Sequence, residues 1–210
     1  MISAATTTSS VASTDSGSGG SGDAGLDGTG AVDSTTGMST GPAEPVCPGV
    51  TAVFFDLGET LVDDGVELPG AVELVAALKE AGILVGIITN VPAGFTAQDL
   101  RDLLEKPDFL EAFDLILMSS QAGSNPKPDA AIFTEAHALL PGAPSIDKVA
   151  FVTEELDHIA NLERGPTIGA RAAGMVGVHL SSGEASPLAD HTVDPADLLS
   201  IADAPWLGCN

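Results

Sequence analysis

Polar residues follow four apolar runs of the kind that form buried strands, either directly or after a short loop. In chain order they are Asp56, Thr89, Lys127 and, after the fourth run, the adjacent acids Glu154 and Glu155. A carboxylate can attack phosphorus as a covalent nucleophile. A hydroxyl and an ammonium can bind phosphoryl oxygens and neutralise the charge that develops on them. These residue types therefore predict chemistry on a phosphate ester, with Asp56, Thr89 and Lys127 as the catalytic residues.

The acids at these positions also predict a metal ion. Two carboxylates about 4 Å apart repel by about 4 kcal/mol at an effective dielectric constant of about 20. Three of them at one site do not all stay ionised without a cation. Because Mg²⁺ prefers such hard oxygen ligands, we expect it as the cofactor, held by Asp56 together with Glu154 or Glu155.

The segments between these positions alternate between strand-like and helix-like patterns. Apolar, often β-branched runs occupy residues 50–55, 83–88, 113–118, 149–152 and 175–179. Strands that alternate with helices build a parallel, doubly wound α/β sheet with helices on both faces. We therefore predict a three-layer, Rossmann-like domain of about five strands. The carboxyl ends of its strands meet at one edge, where open α/β sheets bind ligands.

Helix signals fall between the predicted strands. Pro69 fits the first position of a helix that Gly82 ends, and Thr96 with Asp99 has the pattern of a capping box. The other predicted helical segments are 96–105, a helix from Lys127 to 139, one after 155 that is broken near 165–166 and resumes to 173, and a closing helix at 195–202. Residues 61–68 are predicted to form a short acidic loop.

Residues 1–46 differ in composition from the rest of the chain. They are rich in Ser, Thr and Gly, without an aromatic residue or a periodic apolar pattern, so they cannot bury enough surface to offset their ordering entropy. We predict a disordered tail at 1–46 and one folded domain at 47–210. The tail lacks the basic start and apolar stretch of a secretory signal, and no segment is long and apolar enough to span a membrane. The expected location is the cytoplasm, with no membrane partner.

The chain is strongly acidic, with 30 Asp and Glu residues against 7 Lys and Arg and a formal net charge of −23 at pH 7. Within the predicted domain 25 acids and all 7 bases remain. Such a surface repels polyanions, so nucleic acid is not expected as a partner. The two cysteines, Cys47 and Cys209, show no CxxC pattern; they either pair or remain two thiols.

The polar positions lie in motifs that resemble those of the haloacid dehalogenase-like (HAD) superfamily of hydrolases. The motifs are residues 54–61 (FFDLGETL), 87–90 (IITN), 125–129 (NPKPD) followed by Ile132 and Phe133, 151–155 (FVTEE) and 169–175 (GARAAGM). The resemblance covers about residues 50–180. It implies that Asp56 becomes phosphorylated, that Lys127 bridges this nucleophile and the phosphate, and that Mg²⁺ is the usual cofactor. It also implies that Thr89 and Asn90 bind substrate together with Lys127.

Two positions depart from the pattern of the superfamily. Gly58 stands where its phosphatases usually carry a second Asp as general acid and base, and loss of such a group typically lowers a rate about 10²–10⁴-fold. The Gly58 carbonyl could still bind the metal, and Glu59 is either a substitute acid or an exposed loop carboxylate. Segment 153–155 (TEE) replaces the usual Gly-Asp with side chains one methylene longer. Asp157 and His158 are expected on the solvent-facing side of a helix that is longer than usual.

The sequence leaves no room for a cap domain. Superfamily members usually take their substrate specificity from a cap inserted after the first motif or between the second and third, and residues 61–68 and 91–124 are too few to fold as one. We therefore expect an open site. It would accept a phosphorylated small molecule or an exposed phosphoryl group on a larger substrate. A homo-oligomer in which a partner subunit covers the site is another option.

Taken as a whole, the sequence favours a Mg²⁺-dependent phosphate-ester hydrolase that works through a phospho-Asp56 intermediate. A binding or scaffold module that keeps only the fold is the competing class, because Gly58 and segment 153–155 weaken the catalytic pattern. A dehalogenase in which Asp56 attacks carbon would need an enclosed halide pocket, which a capless domain does not supply.

Overall fold

The computed structural model describes residues 49–208. The predictions made for the tail at 1–46 and for Cys47 and Cys209 fall outside these residues and stay predictions. The strands are β1 (Ala52–Phe55), β2 (Val62–Asp63), β3 (Val66–Glu67), β4 (Leu84–Thr89), β5 (Leu115–Met118), β6 (Val149–Thr153), β7 (Val176–Leu180) and β8 (His191–Val193). The α-helices are α1 (Ala71–Glu80), α2 (Ala97–Asp102), α3 (Ala130–Leu139), α4 (Leu156–Ile159) and α5 (Ala170–Ala173). Short 3-10 helices span Pro107–Ala112, Ile146–Lys148 and Pro195–Asp203.

Six strands form one parallel sheet in the order β5-β4-β1-β6-β7-β8. β1, the first strand of the described residues, lies in the interior of the sheet between β4 and β6. This confirms the predicted doubly wound α/β architecture. The sheet has one strand more than the five predicted, because the three residues of β8 are too few to show a periodic pattern.

Both faces of the sheet are covered, which explains why β1 is apolar at every position. Val53 and Phe55 pack in the core that includes Leu74 and Leu78 of α1. Ala52 and Phe54 belong to the opposite core, whose members from α3 include Ile132 and Phe133. The alternation of side chains along the strand therefore divides β1 between two helical layers.

Gly86 in the middle of β4 is required by the packing of its neighbour. A Cβ atom at this position would lie 2.4 Å from the ring of Phe54 on β1, a separation that no ordinary contact reaches. The missing side chain lets the Phe54 ring lie against β4, in the core that includes Ile132 and Phe133 of α3. This packing supports the interior of the sheet directly below the strand ends that carry the polar residues.

The predicted helix signals are confirmed for α2 and corrected for α1. Thr96 caps α2 and forms a capping box with Asp99, although α2 ends at Asp102 rather than near 105. Pro69 is not the first residue of α1, because Gly70 is the N-cap and adopts a left-handed conformation with φ of 85°. The proline therefore belongs to the turn that precedes the cap.

Three connections differ from their predictions. The predicted loop at 61–68 contains the antiparallel β2–β3 hairpin, whose two-residue strands leave no periodic signal. The predicted long helix after 155 is a single turn, α4, followed by irregular chain up to α5. The predicted closing helix is a 3-10 segment with a non-helical residue at Asp197. Across residues 49–208, no helix combines the length and apolar character needed to cross a membrane.

Candidate active site

Asp56 lies directly after β1, at the carboxyl end of an interior strand. Its backbone N–H donates to the carbonyl oxygen of Val152 at 2.9 Å, so the pairing of β1 with β6 continues by one residue. On the other side Phe55 pairs with Ile87, and Thr89 ends β4 two residues later. Because parallel strands share one direction, the polar residues that follow them meet at the same edge.

The ammonium of Lys127 forms a buried ion pair with Asp56. Its Nζ atom lies 2.5 Å from Oδ2 of Asp56, and the side chains are 0% and 10% exposed, respectively. Nζ also donates to the carbonyl oxygen of Ile88 at 2.8 Å and lies 5.3 Å from the centre of the Phe151 ring. A buried charge is tolerated only when it is paired and hydrogen-bonded, and these contacts meet that condition.

Asn90 holds the backbone of Lys127 in position. Its Oδ1 atom accepts a hydrogen bond from the Lys127 N–H at 3.0 Å, and its Nδ2 atom donates to the Lys127 carbonyl oxygen at 2.9 Å. The residue predicted to bind substrate therefore also joins the end of β4 to the loop that carries the lysine. One N–H of the Asn90 amide remains for a phosphoryl oxygen, so its substrate contact stays a prediction.

The surroundings of Asp56 favour its ionised form. Burial by itself would raise the pKa of this carboxyl, but the adjacent His158 ring and the Lys127 ammonium outweigh burial and bring the pKa below its ordinary value. Burial lowers the pKa of Lys127, and the Asp56 carboxylate opposes that effect. Asp56 is thus held as a carboxylate, the form that a nucleophile requires.

A cavity of about 320 Å³ lies at this edge of the sheet. It is lined by Asp56, Gly58, Glu59, Thr89, Asn90, Glu154, Glu155 and His158. The structure therefore brings the sequence-predicted site residues together around one space, with a single exception. Lys127 does not form part of the wall, because its side chain is fully buried against Asp56.

Glu154 is held by the turn that follows Asp56. The Thr60 hydroxyl donates a short hydrogen bond to Oε2 of Glu154, and the Glu154 N–H donates to Thr60 Oγ1 at 3.3 Å. The ring of His179 contacts the Glu154 carbonyl oxygen at 3.0 Å. Thr60 is completely buried, so this hydroxyl is a positioning group that the sequence analysis did not single out.

His158 does not face solvent, so the prediction made for it is wrong. It is buried, and its Nδ1 atom lies 3.2 Å from Oδ2 of Asp56. The contact has ion-pair distance but not the geometry of a hydrogen bond. Its Nε2 atom lies 3.7 Å from Glu155, whose side chain is 58% exposed. No helical spacing in the sequence indicated this contact, because α4 is a single turn that begins at Leu156.

The turn at Gly58 has space for a side chain. A Cβ atom built there meets no atom within 4 Å, and the backbone is not left-handed. The neighbouring Glu59 does adopt a left-handed conformation, with φ of 56°, which is uncommon for residues other than glycine. Glu59 is exposed and lines the cavity, so both of its predicted roles, as substitute acid and as exposed loop carboxylate, remain open.

The oxygen ligands in this cavity fit a weakly held Mg²⁺. Within the described part of the chain, no three His, Cys, Asp or Glu side chains form a metal cluster. Mg²⁺ does not need one, because it often binds through one or two carboxylates and completes its shell with water and phosphate oxygens. Asp56 and Glu154 supply two carboxylates around the cavity, and the backbone of Gly58 lines it as well. The side chain of Glu155 is more exposed and, unlike that of Glu154, is not held by Thr60, so its carboxylate is a less restrained metal ligand.

Several solved structures share this fold. A putative β-phosphoglucomutase from Thermotoga maritima is 17% identical, with 73% of this chain and 99% of that chain covered and a TM-score of 0.57. CbbY from Rhodobacter sphaeroides, in complex with phosphate, is 16% identical over 74% of this chain and 100% of that chain, with a TM-score of 0.54. A HAD-superfamily hydrolase from Ehrlichia chaffeensis is 16% identical over 74% and 97%, also with a TM-score of 0.54.

No family model matches the sequence, and no curated protein is significantly similar to it. At identities this low, the structural similarity establishes the fold. The described domain has the fold of the HAD-like hydrolases, in agreement with the resemblance of the sequence motifs.

Proposed function

We propose that this protein hydrolyses phosphate esters through a phospho-Asp56 intermediate, with Mg²⁺ as cofactor. The observation that carries the proposal is the buried pair of Asp56 and Lys127 at the end of β1, beside a cavity that also contains Thr89 and Glu154. The Asp56 carboxylate is ionised and open to the cavity, and its charge is balanced from the buried side. A nucleophile toward phosphorus needs this combination.

In the first step, an oxygen of Asp56 attacks phosphorus and the bond from phosphorus to the alcohol oxygen breaks. The Thr89 hydroxyl would donate to a phosphoryl oxygen, while Lys127 offsets the charge that passes from the carboxylate to the phosphoryl group. The departing alcohol takes its proton from water or from Glu59, because Gly58 carries no acid. We expect this step to be slow for that reason.

In the second step, a water oxygen attacks the phosphorus of phospho-Asp56 and the bond from phosphorus to Asp56 breaks. Phosphate leaves with the oxygen of that water, the proton that the water releases goes to solvent or back to Glu59, and the carboxylate is restored. The metal would be held by Asp56, Glu154 and the Gly58 carbonyl. Glu155 is a further, more exposed candidate ligand. When bound, Mg²⁺ supplies positive charge for the phosphoryl oxygens.

The competing classes have weaker support. A scaffold has no need for a buried Lys127 ammonium, since a buried ion pair is weak evidence for stability and is often no better than an apolar pair. A dehalogenase would need a closed pocket around the substrate carbon, whereas the cavity at Asp56 opens into a larger groove. We therefore retain hydrolysis of a phosphate ester as the proposed reaction.

The direct test is phosphate release from 4-nitrophenyl phosphate, with and without Mg²⁺, by the natural sequence and by Asp56→Asn. We expect metal-dependent turnover that the substitution abolishes. In parallel, Mg²⁺ with beryllium fluoride, a phosphoryl mimic, should stabilise the fold by about 2.7 kcal/mol at a hundredfold excess over Kd. Absence of both turnover and stabilisation would contradict the proposal.

A further inference from the structure

An apolar groove of about 570 Å³ opens directly from the catalytic cavity. The cavity and this apolar groove share three lining residues, Gly58, Thr89 and Asn90. An ester whose phosphoryl group lies at Asp56 can therefore extend its alcohol portion into the groove. No pattern in the sequence indicated this space.

The walls of the apolar groove come from three parts of the fold. Its apolar lining includes Leu57, Val62, Val91, Phe95, Leu100 and Leu103. These belong to the turn and hairpin after Asp56, to the loop after β4, and to α2 with its C-terminal end. Leu103 is 61% exposed, and a bound apolar group would remove this surface from water. The volume lies in the range of small-molecule sites, about 300–1,000 Å³.

Two of these walls are joined, so the apolar groove is already formed in the free protein. The Gly65 carbonyl oxygen of the hairpin accepts a hydrogen bond from the Glu105 N–H at 2.8 Å. A Cβ atom at Gly65 would lie 2.4 Å from the Leu103 carbonyl oxygen, so only glycine permits this approach. A rigid concave surface suits a small ligand better than a shallow contact with a flexible partner.

The charge of the lining disfavours anionic groups on the alcohol portion of a substrate. Among the described residues that line the apolar groove, Asp64 is the one charged side chain, and none is Lys, Arg or His. A carboxylate or a second phosphate on the alcohol portion would find no cation and would meet the field of Asp64. Sugar bisphosphates and phosphorylated acids are therefore poor candidates for this space.

We propose that the apolar groove is the leaving-group subsite of the enzyme and that it takes an uncharged, apolar alcohol such as an alkyl-substituted phenol. This inference rests on the proposed phosphatase function and adds the class of substrate to it. Leu103 is then a specificity-determining residue at the rim, and Asp64 acts against anionic groups.

The test compares two esters whose leaving groups have similar acidity and size, 4-propylphenyl phosphate and 4-(2-carboxyethyl)phenyl phosphate. The ratio of their kcat/KM values is the readout, because it cancels effects on the phosphoryl chemistry. We expect the natural sequence to prefer the neutral ester by about tenfold or more. The carboxylate of the other ester would enter the groove without a cation to pair with, and a site rejects an unpaired charge more strongly than it rejects a small change in apolar size.

Leu103→Lys supplies the variant. It introduces a cation at an exposed rim position, and we expect it to reduce or reverse the preference for the neutral ester. Leu139→Lys is the matched control, because Leu139 is 53% exposed on α3 and does not line the groove. The control should keep the original ratio. Size-exclusion chromatography of each variant reports whether the groove instead binds a second copy of the chain.

The outcomes separate the two proposals. Turnover of both esters with equal kcat/KM, or with a ratio that Leu103→Lys does not move, would overturn the subsite and leave the phosphatase proposal standing. A change of oligomeric state in Leu103→Lys without a change in the ratio would reassign the groove to self-association. Failure to hydrolyse any ester, with Asp56→Asn indistinguishable from the natural sequence, would overturn both.

Discussion

His158 contacts the carboxylate of Asp56, with Nδ1 3.2 Å from Oδ2. The ring forms part of the wall of the catalytic cavity and contributes to the lowered pKa of the Asp56 carboxyl. The sequence pattern predicted this side chain in solvent. Its true position makes it a positioning residue for the nucleophile, and this role leads to the first prediction.

His158→Ala should lower kcat by about tenfold, which is about 1.4 kcal/mol in activation free energy, because it removes the polar group that contacts Asp56 and helps to keep its carboxyl ionised. His158→Gln keeps a polar group of comparable reach and should retain more activity than the alanine variant. Steady-state kinetics on 4-nitrophenyl phosphate measure both. His137→Asn, whose ring contacts the Pro144 carbonyl oxygen away from the site, is the control. Equal activity of all three variants would limit His158 to packing.

The Asp56–Lys127 pair predicts a strong non-additivity in stability. Lys127→Met should destabilise the fold by about 3–5 kcal/mol, because it leaves the Asp56 charge buried without its partner. Adding Asp56→Asn removes that charge and should recover a large part of the loss. Urea denaturation of the two single variants and the double variant measures the coupling. Additive free energies of unfolding would show that the pair is not coupled as its geometry indicates.

Gly58→Asp should raise the turnover of phosphate esters by about tenfold or more, since a positioned general acid and base typically contributes about 10²–10⁴-fold. The position can accept the change, because an added Cβ meets no atom within 4 Å and the backbone is not left-handed. Gly58→Asn is the matched control, as it has the same shape without the acid. The aspartate effect should be largest for esters with poor leaving groups. If Gly58→Asp and Gly58→Asn changed the turnover equally, acid catalysis would be excluded as the cause of the increase.

Asp114 should make stability depend on pH. Its carboxylate accepts hydrogen bonds from Lys79 Nζ at 2.7 Å and from the Val85 N–H at 2.9 Å. Burial would raise its pKa, but these donors outweigh burial and the pKa lies below its ordinary value. Stability from a lowered pKa is present above the unfolded-state value, about 3.9, and is lost as the pH falls through the folded value.

Asp114→Asn should therefore cost about 1 kcal/mol at pH 7, a modest figure because solvent screens this partly exposed pair. The difference from the natural sequence should shrink below about pH 4 and with added salt. Urea denaturation across the pH range measures it. If the difference in unfolding free energy between Asp114→Asn and the natural sequence stayed constant from about pH 7 to about pH 3, the lowered pKa of Asp114 would be contradicted.

Much of the scaffold was predictable because its signals are local. Each long buried strand is a continuous apolar run in the sequence. The alternation of such runs with helical segments predicts a parallel sheet. The common direction of parallel strands then brings Asp56, Thr89 and Glu154 to one edge without any knowledge of side-chain contacts. The capping box of Thr96 and Asp99 was equally visible, since its partners are three residues apart.

Several of the predictions that failed concern elements too short to show a period. The hairpin strands and β8 have two or three residues, fewer than an alternation requires. The single turn of α4 likewise has no hydrophobic face of its own, so the direction of His158 could not be read from a helical pattern. Its neighbours Glu155 and Asp157 are exposed. The sequence pattern did not distinguish these two exposed residues from the buried His158.

The sequence by itself determined the parallel α/β architecture, the succession of polar residues at its strand ends and the identity of Asp56 as the candidate nucleophile, because these follow from patterns along the chain. Only the tertiary structure decided that His158 contacts Asp56, that Asn90 holds the loop of Lys127, and that an apolar groove continues from the site. These relationships join residues between about 37 and 102 positions apart or depend on the direction of one side chain. Packing between distant segments sets them, and no local periodicity encodes that packing.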